Sequence, residues 1–90
     1  MPKYAAKRDT NERPIIEALE AIGCTVFQLN HKDIPDLLVG KHGRNILIEV
    51  KDKHGKLSEG QREWHLHWQG QCAVARSVEE ALAIVMREKN

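Results

Sequence analysis

Glu49 and Lys51 stand two positions apart in the run "LIEVK", Leu47 to Lys51. Side chains of a strand alternate between its faces. A strand here puts Ile46, Ile48 and Val50 on one side and Leu47, Glu49 and Lys51 on the other. Upstream, "IPD" ends at Asp36, which begins a second apolar run to Gly40. The connection "KHGRN", with Gly43 at its flexible position, reads as a hairpin. Counting outward from a turn near His42 and Gly43, Asp36 falls opposite Glu49 or its neighbour. Two carboxylates then converge with an ammonium beside them.

Convergent carboxylates repel, and burial makes both harder to ionise. Lys51 relieves part of that, and a divalent cation relieves more. Carboxylate oxygens, a backbone carbonyl and waters suit an oxygen-preferring ion such as Mg²⁺. Such an ion lowers the pKa of water and neutralises charge on a phosphate. Lys51 can orient that water or hold a phosphate oxygen. Glu12 can complete the group by taking a metal-bound water. An isolated E-x-K is commonly a plain ion pair at a strand end; it is Pro-Asp, hairpin and E-x-K in sequence that point to a metal site.

Several elements must position these groups. A helix starts near Asn11 or Thr10 as cap, tolerates Pro14 only in its first turn and ends at Gly23. Its apolar face is Ile15, Ile16, Leu19 and Ile22. Glu12 precedes Ile15 by three, Ile16 by four and Leu19 by seven, so it lies on the inward face. "CTVFQLN" is β-branched and aromatic and reads as the first strand, Cys24 to Asn30. The hairpin supplies the next two. Ser58 caps a second helix running to about Gln69, "CAVA" is a fourth strand, and Ser77 with Glu80 has the spacing of a capping box before a last helix. That helix carries Val78, Ala81, Leu82, Val85 and Met86 on one face. The expected order is α-β-β-β-α-β-α, a mixed α/β domain with a small central sheet flanked by helices.

The chain has 90 residues and a formal net charge of +1, which suggests one domain and no global basic field. Residues 1–8 read as a flexible basic arm with Lys3, Lys7 and Arg8, and residues 9–90 as the domain. Lys41 to Lys56 is also mostly basic. Such patches can meet phosphates, but on charge alone two solvated loops are the better account. Cys24 and Cys72 are too few for a disulfide scaffold and read as free thiols. No leader pattern is visible in residues 1–14, and no apolar run approaches the roughly 20 residues needed to cross a bilayer. A reducing cytoplasmic setting, away from membranes, is the expectation.

Taken in order, "NERPIIEALEAIG", "IPD", "IEVK" and "KLSEGQREWHLHWQGQCAVARS" resemble the signature segments of the PD-(D/E)XK nuclease superfamily. The pattern is most similar to small stand-alone phage-type VRR-NUC (virus-type replication–repair nuclease) domains, and beyond them to Holliday-junction resolvases. It runs from about residue 9 to residue 86. The resemblance implies a restriction-endonuclease-like core and a Mg²⁺- or Mn²⁺-dependent endonuclease hydrolysing phosphodiester bonds in phage or bacterial host cytoplasm. It implies that Glu12, Asp36 and Glu49 are metal carboxylates, the Val50 carbonyl is a further ligand, Lys51 is the catalytic lysine and Gln61 is a polar active-site residue. It also implies a homodimer acting on branched DNA, such as Holliday junctions or flaps.

Other residues extend or compete with that reading. Lys53, His54 and Lys56 follow Lys51 where a DNA backbone would pass, and Arg44, Lys3, Lys7 and Arg8 could lengthen the track. Gln61, Trp64 and Trp68 share a helical face. The tryptophans read as core or dimer contacts, with base stacking as the alternative, and Gln61 is expected to pair near Lys51 or Glu49. His31 and His54 read as loop histidines that could line the site. His65 and His67 point to different sides of a helix, with no zinc motif around them. Two other functions stay open: a non-cleaving nucleic-acid-binding or interaction module of the same fold, and a sequence-specific restriction-type endonuclease. A chain this short leaves little room for the base-reading element that the latter needs.

Overall fold

A computed structural model describes residues 10–87. The order is α1 (Glu12–Ala21), β1 (Thr25–Gln28), β2 (Leu37–Lys41), β3 (Arg44–Val50), α2 (Glu59–His67), β4 (Cys72–Ala75) and α3 (Val78–Met86). This is the order and class read from the sequence. The four strands lie in one sheet in the order β1-β2-β3-β4. The first two pairings are antiparallel and β3 with β4 is parallel. The basic arm and residues 88–90 lie outside the described residues.

The hairpin is tighter than the sequence suggested. Lys41 pairs with Arg44, leaving only His42 and Gly43 in the turn. Both have positive φ, 52° and 78°, the geometry of a two-residue turn that follows strand twist. At the turn β2 gains Lys41, and β3 gains Arg44 and Asn45. The register sets Leu37 opposite Ile48 and Val39 opposite Ile46. One step further, Asp36 comes opposite Glu49.

Strand parity divides the sheet into two unlike faces. One face carries Leu37, Val39, Ile46, Ile48, Val50 and Ala75, packed with Ile15, Ile16 and Leu19 of α1 and Ala81 and Val85 of α3. Met86, expected on the inward face of α3, is exposed. The opposite face carries Phe27, Leu38, Leu47, Glu49 and Cys72, and α2 lies on part of it. α2 has no buried residue, and Trp68 is exposed, so the tryptophans are not core.

Two basic residues flanking the hairpin turn tie the core helices down. Lys41 Nζ donates to Ile22 O at the end of α1, 3.0 Å away. Arg44 donates to Val85 O in the last turn of α3, 2.8 Å away. Cations there satisfy carbonyls that a helix end leaves without partners and complement its dipole. Arg44→Ala is expected to destabilise the fold by about 1–2 kcal/mol, seen as a lower urea midpoint. An unchanged midpoint would contradict this role.

Candidate active site

Every element of the site meets at one end of the sheet, where β1, β3 and β4 finish and β2 begins. Asp36 stands just before β2, after the buried Pro35. Its Oδ2 accepts a hydrogen bond from Val50 N at 2.7 Å, continuing the hairpin ladder with a side chain in place of backbone. The Val50 carbonyl points to the same side as its amide, toward Asp36. Lys51 N donates to Ala75 O across to β4. The alternation therefore puts the Glu49 and Lys51 side chains on one face, as parity predicts.

Glu49 is 1% exposed and Glu12 is 3% exposed, the two buried charged residues among those described. Gln28, at the end of β1, donates to Glu12 Oε2 at 3.1 Å. Gln61 donates to Glu49 Oε2 at 3.1 Å, the pairing expected for it. The same Gln61 closes a full capping box with Ser58, its Oε1 accepting from Ser58 N. The start of α2 is thus fixed to the site through one side chain. Desolvation, the nearby Asp36 carboxyl and, more weakly, Glu12 push the Glu49 pKa from an ordinary 4.5 up to about 8, against the pull of Lys51.

Three residues to which the sequence reading gave no role in the site shape the same end. Asn11, expected as a cap, has helical backbone angles and makes no side-chain cap. Its amide instead donates to Lys51 O (2.9 Å) and Arg76 O (3.0 Å), clamping the ends of β3 and β4 to the start of α1. Arg76 donates to Asp52 O and Gly55 O, fastening the loop after Lys51. Gly60 lets the segment before Asp36 approach α2: a Cβ there would meet the Asp33 carboxylate at 2.6 Å. No local pattern announces such contacts, since each joins segments far apart in sequence.

His65 also reaches the site, which the sequence reading missed. Its Nε2 lies 3.7 Å from Glu49 Oε1, and its Nδ1 lies 3.5 Å from Cys72 Sγ. Burial lowers its pKa. Lys53, His54 and Lys56 are exposed in the loop beyond Lys51, as expected, whereas Arg44 sits at the far end of β3, engaged with α3. Lys7 and Arg8 lie outside the described residues. His31 is exposed. Trp64 and Trp68 stack on each other, rings 4.7 Å apart, and line an open crevice with Asp33 and Glu63.

The donors at this end are oxygens, the chemistry a hard divalent cation takes. Glu49 Oε1 is buried without a hydrogen-bond partner, so it can accept one more contact. As the side chains stand, no three His, Cys, Asp or Glu among the described residues form a ready-made metal cage. The carboxylate oxygens of Asp36 and Glu49 are the donors here that would suit such an ion.

No protein-family model matches the sequence, and no curated protein does. A solved structure described as a VRR_NUC domain is similar, with a TM-score of 0.71 and 24% sequence identity over 90% of this chain and all of that one. The likeness shows that the chain has the fold of a VRR_NUC domain. Among the described residues, no helix is long and apolar enough to cross a membrane.

A raised carboxyl pKa favours the folded state at low pH. The Glu49 contribution is fully present below about pH 4.5 and is lost as pH rises through about 8. In metal-free buffer, wild-type Tm is expected to fall across that window relative to Glu49→Gln, whose amide does not titrate. Parallel Tm profiles would contradict a buried, protonatable Glu49.

Proposed function

We propose that the protein is a divalent-metal-dependent endonuclease that hydrolyses phosphodiester bonds in DNA. The observation that carries this is the meeting of Asp36, Glu49 and Lys51 at one strand end, with Glu49 buried and one oxygen unpartnered. Nuclease motifs in the sequence and the VRR_NUC fold support the same reading.

Asp36 and Glu49 would offer oxygens to Mg²⁺ or Mn²⁺, and the Val50 carbonyl would add another. A bound ion there supplies Lewis-acid stabilisation of phosphate charge and a more acidic water. Glu49 must give up its proton for the site to load, so binding near neutral pH releases protons. Lys51 holds an ammonium on the Glu49 face, where it orients the attacking water or takes a phosphate oxygen. Gln61 and Gln28 keep Glu49 and Glu12 from turning away. Arg76 and Asn11 hold the strand ends and the loop bearing Lys53, His54 and Lys56, whose exposed charges suit a passing phosphate backbone.

Branched DNA, such as a Holliday junction or a flap, is the substrate class that the motif resemblance favours. A homodimer fits the exposed side of the sheet, where Phe27 is 66% exposed and pairs across strands with Leu38. The rival reading, a binding module that does not cut, keeps the fold and loses only the chemistry.

Labelled four-way junction, flap, splayed-arm and linear duplex DNA, incubated with Mg²⁺, Mn²⁺ or EDTA, separate these readings. Metal-dependent product is expected, and Asp36→Ala, Glu49→Ala and Lys51→Ala should each abolish it while leaving salt-sensitive DNA binding intact. Binding without product in every metal would sink the nuclease reading. Full activity in any one variant would remove that residue from the chemistry.

A further inference from the structure

α2 reaches Glu49 twice, from positions one helical turn apart. Gln61 takes Oε2. Oε1 faces His65 Nε2 at 3.7 Å, and both atoms are buried with no hydrogen-bond partner. A buried polar atom left unsatisfied costs roughly 1–3 kcal/mol, so a small closure between these two atoms satisfies both at once. The other imidazole nitrogen, Nδ1, lies 3.5 Å from Cys72 Sγ on the neighbouring β4. A thiol donating to Nδ1 leaves the ring proton on Nε2, aimed at the carboxylate. Trp64 packs edge-on to the imidazole with ring centroids 5.6 Å apart, which restricts its rotation.

We propose that His65 is a positioning residue for Glu49. Its Nε2–H holds Oε1, and the Cys72 thiol sets the tautomer that makes this possible. A carboxylate oxygen has two lone pairs, so Oε1 can accept from His65 and still face a cation. Gln61 and His65 together then fix both oxygens of the ligand from the α2 side. Partners of this kind around a metal ligand raise affinity by orienting it before the ion arrives. The inference rests on the reading of Glu49 as a metal ligand.

Calorimetric titration with Mn²⁺ alone, without DNA, tests it. Wild type is compared with His65→Leu, which fills the volume but has no donor, and with His65→Gln, whose amide can reach Oε1. His65→Leu should bind Mn²⁺ about 10–100-fold more weakly, and His65→Gln should recover most of the loss. Equal affinity in His65→Leu and wild type overturns the role, as does equal loss in both variants. Absence of Mn²⁺ binding by wild type overturns the metal reading itself, and this inference with it. If His65→Leu does not fold, Cys72→Val decides: weaker binding supports the relay and unchanged binding overturns it.

Discussion

The burial of one carboxylate organises this structure. Glu49 sits in the central strand β3, 1% exposed, beside Asp36 and within reach of the charge of Glu12. A lone charge in such a place is strongly disfavoured, so the group must be protonated, paired or bound to a cation. Its neighbours answer that demand from all sides. Gln61 takes one oxygen, His65 faces the other and Lys51 offers a positive charge. Neutralising the neighbouring carboxylates Asp36 and Glu49 is a task that a divalent ion performs better than any of these side chains. That is the physical argument beneath the proposed nuclease chemistry.

The two faces of the sheet share the labour unequally. α1 and α3 bury the apolar face, and the hairpin cations Lys41 and Arg44 secure the ends of both helices. α2 contributes almost nothing to the core, having no buried residue. It is held by its capping box and by polar contacts to Glu49 and Cys72. A helix attached mainly through site residues makes the order of the site and the docking of that helix one problem. A change at Glu49 is therefore felt along α2.

Much of the arrangement was legible in the sequence because it follows from short periods. Strand parity put Glu49 and Lys51 on one face, the hairpin count brought Asp36 opposite Glu49, and helical spacing turned Glu12 inward. Gln61 was expected near Glu49 and lies there. The rest depends on contacts between distant segments. Asn11 looked like a cap, yet its amide serves two strand ends 40 and 65 positions away. Arg44 looked like part of a phosphate track, yet it closes α3. His65 was weighed only as a zinc ligand, because helix periodicity alone does not say that Cys72 and Glu49 lie on either side of it. Trp64 and Trp68 read as core or dimer contacts, and α2 rests on the sheet too lightly to make them core.

The central claim is that the end of β3 holds a divalent cation between Asp36 and Glu49. Paramagnetic broadening in ¹⁵N-correlated spectra during a Mn²⁺ titration reads this directly, since the effect is confined to amides near the ion. The account predicts that the amides of Asp36, Glu49, Val50 and Lys51 broaden first, and that Glu49→Gln removes the effect. Broadening centred elsewhere, or spread evenly over the surface, would contradict it.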